Sequence, residues 1–477
     1  MKPKNHLFLI SDEHSRRVLG CYGDTIVKTP NLDKLAASGT RFTNAYTPSP
    51  ICVPARASLA TGRYLHQHRN WSCAEPYSGT LPSWSHRLRD EGHRCTSIGK
   101  LHFRSTEDDN GFEEEILPQH CINGQGWIKG LVRDHPMPDY DEGTKAFSEA
   151  LGKGESAYTS HDRQVADAAC DWLRKTAANN QGKPWVLFVS FISPHYPLIS
   201  PPEFFNLYDP EKMPVPHRAD ESPTHPALKE LYDFFNYKDY MIGDKIGQAT
   251  AAYYGLCSYV DHMVGEIVDV MTELGLNDDT RISYTSDHGE MLGNHGMWTK
   301  QVMYEDAVGI PLIIAGPDIP AGKVVDTQVS LIDFYPTILE GVGISLNETE
   351  RSLSGENLFD LANHEVPDRV VVSEYHDGGV TRGFFMLRYR QWKLVYYVGH
   401  EPQLFDLEND PMEDEDLAHS SSHRHILKDC KAKLYEILDP EVVDENARSD
   451  QAEVIARLGG RDAILNMEGM NFFVQGV

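Results

Sequence analysis

The 477-residue sequence contains no long hydrophobic run. A helix that spans a bilayer needs about 18 to 20 consecutive apolar residues, and no segment approaches that length, so we expect no membrane partner. Met1 to His6 lead into a short apolar run that ends at Asp12, without the longer apolar region and small-residue cleavage site of a secretory signal. The sequence therefore favours a cytoplasmic protein.

Closely spaced cysteine pairs are also absent. The eight cysteines are scattered along the chain, with no Cys-x-x-Cys pair and no dense framework. We expect reduced thiols, as is usual in the cytoplasm. A lone cysteine in such a chain is most often a small buried hydrophobic residue, and a chemical role for any one of them needs support from its neighbours.

Positive charge is scarce. The chain has 44 lysines and arginines against 71 aspartates and glutamates, a formal net charge of −27 with neutral histidines. Such a charge repels nucleic acid phosphates and anionic membranes, so we expect no nucleic acid partner. If the protein acts on an anionic ester, it must gather cations and a metal ion locally. A cluster of Lys, Arg and His in a cleft therefore carries more meaning here than in a basic protein.

The sequence does contain a series of short apolar runs, each followed by polar residues able to do chemistry. The four runs are His6–Ile10, Arg94–Ile98, Trp185–Ile192 and Arg281–Thr285. Helical patterns separate them, and this alternation indicates an α/β fold with a large, mostly parallel sheet between helices. Ligands of such sheets bind beyond the carboxyl ends of the strands. Those ends carry Asp12, Lys100, His195, Asp287 and His288, which we expect along one rim.

The hydrophobic pattern changes near Gly355, where two-residue alternation begins. Gly383–Arg388 and Trp392–Val398 predict a β-hairpin, followed by a helix near Ile426–Leu438. We therefore divide the chain into a catalytic α/β domain over residues 1–360, a small C-terminal α+β domain with an antiparallel sheet over 361–446, and a tail over 447–477. The tail ends in an apolar, aperiodic stretch, and we expect it to dock on its own body or on a neighbouring subunit of a homo-oligomer.

Cys52 stands just before a proline-started helical segment, with Arg56 four residues further on. A helix N-terminus with an arginine nearby can hold an anion, because its unpaired N–H groups and its dipole favour negative charge. Taken alone, Cys52 is more often a packed hydrophobic residue than a catalytic group. A thiolate phosphatase is disfavoured, because its phosphate-cradling loop needs five residues between cysteine and arginine and only three separate them here.

Asp12, Asp287 and His288 form a candidate metal site at the predicted rim. Two hard oxygen ligands and one imidazole nitrogen suit a divalent cation such as Ca²⁺, Mg²⁺ or Mn²⁺. The alternative for Asp287-His288-Gly289 is a turn or a helix cap, which the preferences of Asp and Gly favour for this segment taken alone. The matching carboxylate of Asp12 at the other end of the chain favours the metal site.

Several motifs resemble those of the type I sulfatases, the formylglycine-dependent enzymes of the alkaline phosphatase superfamily. They are Thr29-Pro30-Asn31-Leu32-Asp33, Cys52-x-Pro54-x-Arg56 with Leu59-x-Thr61-Gly62-Arg63, Gly99-Lys100-Leu101-His102, Ser193-Pro194-His195, Ser286-Asp287-His288-Gly289, Trp298-Thr299-Lys300 and Gln403 to Pro411. The resemblance runs from about Asn5 to Glu415 and is nearest in style to choline-sulfatase-like and phosphonate-monoester-hydrolase-like members. It implies a sulfuric ester hydrolase that cleaves a sulfate monoester to an alcohol and inorganic sulfate.

The resemblance also implies the cofactors and the roles of individual residues. Cys52 would be oxidised to formylglycine by a formylglycine-generating enzyme, and its hydroxyl, bound to one divalent metal ion, would attack sulfur. The implied metal ligands are Asp12, Glu13, residue 52, Asp287 and His288. Arg56, Lys100 and Lys300 would neutralise sulfuryl charge, His195 or Lys300 would protonate the leaving alcohol, and His102 would be the base that releases sulfate. The substrate would be a small-molecule or saccharide sulfate ester.

The sequence departs from the family pattern at three places. Glu13 stands where many members have a second aspartate, so it is either a ligand or an acceptor behind the ligands. Trp71-Ser72-Cys73 lacks the family's asparagine, whose contact is either lost or made by Asn70. Gly309 replaces a common arginine and puts a structural ion pair in doubt. The nearest alternative function is hydrolysis of phosphonate monoesters or phosphodiesters, although the Gly-Lys-x-His motif favours the sulfatase branch.

Overall fold

The computed structural model describes residues 2–178, 182–364 and 366–467. The strands in this part of the chain are β1 (Asn5–Asp12), β2 (Gly39–Phe42), β3 (Ala45–Tyr46), β4 (Cys95–Lys100), β5 (Glu114–Gln119), β6 (Leu151–Lys153), β7 (Val186–Pro194), β8 (Leu198–Ser200), β9 (Thr280–Ser286), β10 (Leu312–Ala315), β11 (Lys323–Val325), β12 (Val329–Ser330), β13 (Val370–Tyr375), β14 (Phe384–Tyr389), β15 (Trp392–Tyr397) and β16 (Gln403–Asp406).

The α-helices in the same ranges are α1 (Pro30–Ser38), α2 (Cys52–Thr61), α3 (Leu65–His68), α4 (Trp84–Asp90), α5 (Asp141–Glu149), α6 (Ala157–Ala178), α7 (Pro202–Phe205), α8 (Pro226–Phe235), α9 (Tyr237–Tyr240), α10 (Asp244–Glu273), α11 (Glu305–Val308), α12 (Phe334–Gly341), α13 (Glu348–Arg351), α14 (Leu358–Leu361), α15 (Arg424–Ile437), α16 (Pro440–Arg457) and α17 (Arg461–Leu465). None of these helices combines the length and the apolar character that a membrane crossing requires.

Eight strands form one large sheet in the order β11-β2-β10-β9-β1-β7-β4-β5. Neighbouring strands are parallel except where β10 is one of the pair, so the sheet is mostly parallel. Alternate residues of β1 enter two different cores, because successive side chains of a strand point to opposite faces. Phe8 and Ile10 pack with α2, α4 and α12, whereas Leu7 and Leu9 pack with α1, α6 and α10. The predicted α/β fold is confirmed.

The carboxyl ends of the four predicted strands lie together. β1 ends at Asp12 and β4 at Lys100, while His195 directly follows β7 and Asp287 directly follows β9. These strands are neighbours in the order β9-β1-β7-β4 and all run in the same direction. The sheet therefore brings these polar residues to one rim, as the sequence pattern predicts.

A second, four-stranded antiparallel sheet is formed by β13, β14, β15 and β16 in chain order. Tyr389 pairs with Trp392, so β14 and β15 are joined by a two-residue turn, which confirms the predicted hairpin. α15 packs on this sheet through Cys430 and Leu434. α16 runs through residue 447, where the sequence pattern places the start of the tail. The end of that tail, residues 468–477, lies outside the described residues.

A buried ionic network connects α11 and the segment after β1 with the second sheet. Glu305 of α11 pairs with Arg16, with Arg388 of β14 at 3.9 Å and with Lys393 of β15 at 3.2 Å. Lys393 also contacts the carboxylate of Glu413 at 2.7 Å. Burial raises the pKa of a carboxyl, but the charges of Lys393, Arg16 and Arg388 outweigh it and hold the pKa of Glu305 below its ordinary value. The second sheet thus supplies cations to the buried carboxylate of Glu305 in α11.

Gly309 has an unexpected neighbour in this network. A Cβ atom at Gly309 would lie 2.8 Å from Arg16 Cζ, so the guanidinium fills the space beside the glycine. Arg16 Nη1 donates to Thr43 O at 2.7 Å, and the same side chain pairs with Glu305. An ion pair between Arg16, from the segment that follows β1, and Glu305 of α11 therefore lies beside Gly309.

Replacing Lys393 tests whether this network holds α11 and the second sheet together. Lys393→Met leaves the carboxylates of Glu305 and Glu413 without the cation between them, and we expect the free energy of unfolding in urea to fall by about 3–5 kcal/mol. The control Arg390→Met removes the exposed partner of Asp368, which should cost no more than about 1 kcal/mol. Equal losses in the two variants would contradict this interpretation.

Candidate active site

Cys52 is the first residue of α2 and lies inside a buried polar cluster. Its Sγ atom is 3.2 Å from His288 Nε2, 3.3 Å from Lys300 Nζ and 3.6 Å from Asp12 Oδ1. Burial raises the pKa of the Cys52 thiol, the charge of Asp12 raises it further, and Lys300 and Lys100 do not compensate. The thiol is protonated at neutral pH and is a poor nucleophile in its encoded form.

The sequence around Cys52 explains why α2 begins there. Ile51 has an extended backbone and offers no side-chain cap, so the first N–H groups of the helix remain available beside residue 52. Pro54 lies in the first turn, where its missing N–H removes no helical hydrogen bond. Gly62 ends the helix with a φ of 66°, a left-handed conformation that suits glycine. The N-terminus of α2 is thereby aimed at the rim of the sheet.

Arg56 connects the two carboxylates that end β1 and follow β9. Its Nε donates to Asp287 Oδ2 at 2.7 Å and its Nη2 donates to Asp12 Oδ2 at 3.1 Å. Its Nη1 donates to Lys100 O at 2.9 Å and to Ser190 Oγ at 3.0 Å. Burial and the charge of Asp12 raise the pKa of Asp287 to about 6, and Arg56 opposes this rise. The guanidinium therefore orients both carboxylates.

Two lysines reach the cluster from opposite sides. Lys100 Nζ lies 2.7 Å from Asp12 Oδ2, and Lys300 Nζ lies 3.0 Å from Glu13 Oε2. Burial raises the pKa of a carboxyl, yet the charges of Lys100, His195 and Arg56 outweigh it and hold the pKa of Asp12 well below its usual range. Asp12 is therefore ionised at neutral pH.

His195 faces the same carboxylates. Its Nε2 lies 3.5 Å from Glu13 Oε2 and 4.0 Å from Asp12 Oδ1, while Nδ1 lies 2.6 Å from Tyr196 O. Because a carbonyl oxygen only accepts, Nδ1 carries the proton and Nε2 of the neutral ring has a free lone pair. Burial, together with the charges of Lys300 and Lys100, lowers the pKa of His195 well below its ordinary value. His195 is therefore neutral at neutral pH.

The donor atoms of this cluster fit a divalent metal ion. One ligand atom each from Asp12, Cys52, Asp287 and His288 lie within 4.8 Å of one another, and Asp12, Glu13 and His195 form a second such group. Glu13 Oε1 is buried and has no hydrogen-bond partner among the described residues. His288 Nδ1 donates to Gly289 O at 3.0 Å, which leaves Nε2 as a donor for a metal. Carboxylates with one imidazole suit Ca²⁺, Mn²⁺ or Mg²⁺.

The protonation of two of these residues follows from their burial. Burial, assisted by the charge of Lys300, lowers the pKa of His288 to about 3, so the ring is neutral and able to bind a metal. Burial raises the pKa of Glu13 to about 8, against the opposing charge of Lys300. A cation held between these side chains would favour the ionised form of Glu13.

His102 lies two residues beyond the end of β4 and is buried. Its backbone has a φ of 57°, in the left-handed region, and its N–H donates to Gln119 O at 2.9 Å. Non-glycine residues in this region are uncommon, and they concentrate at functional sites. The structure thus places His102 on the same rim as the other predicted residues.

Sequence reasoning missed several residues that hold this site in place. Ser190 of β7 accepts a hydrogen bond from Arg56, and Asp162 of α6 accepts hydrogen bonds from the N–H groups of Ile192 and Ser193, both at 2.7 Å. Asp162 therefore fixes the end of β7 just before His195. A hydroxyl inside an apolar strand is a signal for Ser190, whereas the helical pattern gives no signal for Asp162.

The segment that lacks the family's asparagine makes other contacts. Asn70 Nδ2 donates to Glu75 O at 2.9 Å, and the N–H of Cys73 donates to Asp377 Oδ2 at 2.7 Å. The Asn70 amide nitrogen is therefore used within its own loop.

Comparison with known proteins shows the family of the chain. The model of the sulfatase family matches residues 4–344, and the model of the C-terminal part of N-sulphoglucosamine sulphohydrolase matches residues 293–439. The chain therefore belongs to the sulfatase family, within the alkaline phosphatase superfamily. It is a sulfatase, an enzyme that hydrolyses sulfate esters.

Individual relatives are similar over most of the chain. A choline-sulfatase of Rhizobium meliloti (strain 1021) is 32% identical over 467 residues, which cover 94% of this chain and 89% of that protein. Arylsulfatase K of Homo sapiens is 32% identical over 439 residues, which cover 86% and 78%. The solved phosphonate monoester hydrolase of Agrobacterium radiobacter has a TM-score of 0.73 at 24% identity and covers 94% of this chain and 96% of its own. This last likeness shows a shared fold.

Thermal unfolding with and without added ion tests the metal site. Mn²⁺ or Ca²⁺ should raise the midpoint, because an ion bound only to the folded protein adds about 2.7 kcal/mol of stability at 100 times its Kd. Asp287→Asn should abolish the increase, whereas the control Asp368→Asn, which changes a carboxylate with 59% of its side chain exposed, should retain it. An increase that survives in Asp287→Asn would place the ion elsewhere.

Proposed function

We propose that this sulfatase cleaves a sulfate monoester to an alcohol and inorganic sulfate with a formylglycine formed from Cys52 and one divalent metal ion, Ca²⁺, Mn²⁺ or Mg²⁺. The observation that carries the proposal is the position of Cys52 Sγ, 3.2 Å from His288 Nε2 and within a group of potential metal ligands. The sulfur stands where the oxygens of formylglycine would lie. Asp12, Glu13, Asp287 and His288 would hold the ion together with residue 52.

The residues around position 52 support such a reaction. When present, the metal ion and the formylglycine supply the activated hydroxyl group that attacks sulfur. Arg56 keeps Asp12 and Asp287 in place, because its guanidinium bonds both carboxylates. Since its other bonds also go to the protein, we assign Arg56 to positioning. Lys100 and Lys300 bring two positive charges to the cluster, where they would offset negative charge on the sulfuryl group.

Lys300 is the better candidate to protonate the leaving alcohol. Burial lowers the pKa of a lysine, but neighbouring Cys52, Glu13 and Asp12 outweigh burial and raise the pKa of Lys300 above its ordinary value. The ion pair of Lys300 Nζ with Glu13 Oε2 at 3.0 Å supports Lys300 as the proton donor. His195, by contrast, is neutral with its proton on Nδ1, which is engaged with Tyr196 O. His195 Nε2 is suited to accept a hydrogen bond at the wall of the site.

His102 is assigned the base for the second half of the reaction, in which sulfate is released. Its place beyond the end of β4, close to Lys100 in the chain, supports this role, since Lys100 contacts Asp12 directly. The backbone N–H groups of Leu101 and His102 both donate to Gln119 O, at 3.1 and 2.9 Å, which fixes the turn that carries them.

The proposed substrate is a small-molecule or saccharide sulfate ester. The names of the choline-sulfatase and arylsulfatase K relatives add choline and aryl sulfates to the classes that need testing. We further propose that a formylglycine-generating enzyme matures the chain in the cytoplasm. We also propose that the chain divides into domains at residues 360 and 446. The protein would form a homo-oligomer to which the tail contributes.

Mass spectrometry of the peptide that contains position 52 tests the nucleophile. In active enzyme it should show the mass of an aldehyde in place of the thiol, and activity should rise in proportion to the converted fraction. Cys52→Ala should lower kcat by at least about 1,000-fold, as expected when a nucleophile is removed. Full activity with an unmodified Cys52 would disprove the formylglycine proposal.

A substrate panel separates the sulfatase from its nearest alternative, a phosphonate monoester or phosphodiester hydrolase. Aryl, choline and sugar sulfates should include the preferred substrate, measured as kcat/KM on converted, metal-loaded enzyme beside matched phosphonate monoesters and phosphodiesters. The expected preference for sulfate follows from the Gly99-Lys100-Leu101-His102 motif, whose Lys100 Nζ contacts Asp12 Oδ2 at 2.7 Å. Turnover of phosphonate monoesters alone would reverse the assignment.

A further inference from the structure

Lys300 is presented by a backbone in an unfavourable conformation. The residues on either side of it, Thr299 and Gln301, have φ angles of 62° and 74°. This left-handed region is uncommon for residues other than glycine, and a residue held there costs about 1–3 kcal/mol; for a β-branched threonine it is a genuine outlier. Such strain persists only where surrounding contacts impose it, and here it flanks the buried ammonium group of the active site.

Glu290 holds the backbone at Thr299, the first of the two residues with a positive φ. Its Oε1 accepts hydrogen bonds from the backbone N–H groups of Leu292 and Thr299, both at 2.7 Å. The N–H of Met291 donates to Thr299 O, also at 2.7 Å. Glu290 is buried, with 3% of its surface exposed. Because one carboxyl oxygen accepts both N–H groups, Glu290 closes the loop between residues 290 and 299.

Gln301, the second residue with a positive φ, holds the backbone through its own side chain. Its Oε1 accepts a hydrogen bond from the N–H of Lys300 at 3.1 Å and another from Thr299 Oγ1 at 2.9 Å. Its own N–H donates to Pro50 O at 3.1 Å, two residues before Cys52. Thr299 Oγ1 also lies 3.1 Å from the hydroxyl of Tyr237. The segment that carries Lys300 is therefore tied on one side to Glu290 and on the other to the start of α2.

We propose that Glu290 and Gln301 are positioning residues that hold the Lys300 ammonium within reach of residue 52. Lys300 Nζ lies 3.3 Å from Cys52 Sγ and 3.0 Å from Glu13 Oε2, but a lysine side chain is flexible and reaches one point only if its backbone is fixed. A displacement of about 1 Å in a catalytic group can lower a rate about 100-fold. This inference rests on the proposed role of Lys300 in catalysis.

A double-mutant cycle tests the inference on converted, metal-loaded enzyme with 4-nitrophenyl sulfate as the probe. The variants are Lys300→Ala, Glu290→Ala, Glu290→Gln, Gln301→Ala and the double variant Glu290→Ala/Lys300→Ala. Glu350→Ala is the matched control, because Glu350 is also a buried carboxylate that accepts a backbone hydrogen bond, from Asn347 N–H at 2.8 Å. Thermal midpoints are recorded for all variants.

We expect Glu290→Ala and Gln301→Ala each to lower kcat by about 10- to 100-fold with little change in KM. Glu290→Gln retains an acceptor oxygen and should recover most of the loss. The double variant should be no slower than Lys300→Ala, because Glu290 acts through Lys300. Glu350→Ala should lower the thermal midpoint and leave kcat unchanged. A role of Glu290 in folding alone would produce neither the recovery by glutamine nor the coupling to Lys300.

The outcomes distinguish a failure of the proposed role of Lys300 from a failure of the positioning role. If Lys300→Ala keeps the kcat of the unaltered enzyme, the proposed role of Lys300 is wrong. If Lys300→Ala is slow while Glu290→Ala is not, or if the two losses multiply in the double variant, the positioning role is wrong and the proposed function stands. If Glu290→Ala does not fold, the same cycle with Gln301→Ala decides the question.

Discussion

The candidate active site depends on holding two buried carboxylates side by side. β1 and β9 are parallel neighbours with Ser11 paired to Ser286, so Asp12 and Asp287 leave adjacent strands at the same level. Their charges repel each other, and the guanidinium of Arg56 bridges them at 3.1 and 2.7 Å. Because residue 52 begins the same helix one turn earlier, the contact that holds the carboxylates together also sets residue 52 against them.

The parts of the structure that local pattern controls could be predicted from the sequence. β1, β4, β7 and β9 are buried on both faces because both faces are covered by helices, and such short runs are visible without any partner. Parallel strands have their carboxyl ends at one edge, so Asp12, Lys100, His195 and Asp287 followed from the fold class. The hairpin of β14 and β15 was likewise visible as two-residue alternation.

The parts that depend on distant partners could not be predicted. Nothing near Gly309 indicates that Arg16, almost three hundred residues earlier, fills the space beside it. The path of the Lys300 segment depends on backbone angles that threonine and glutamine rarely adopt, so residue preferences point away from it. Asp162 fixes the end of β7 from a neighbouring helix, and its position in the helical pattern is that of an ordinary polar residue.

The network around Glu305 joins parts of the chain that are synthesised far apart in time. The sulfatase family match ends at residue 344, whereas Arg388 and Lys393, two of the cations that neutralise Glu305, come later. A growing chain therefore cannot pair Glu305 with both of these cations until β15 has left the ribosome, long after Cys52. Cys52 is only 2% exposed in the folded protein, so any enzyme that modifies it must reach it before folding is complete.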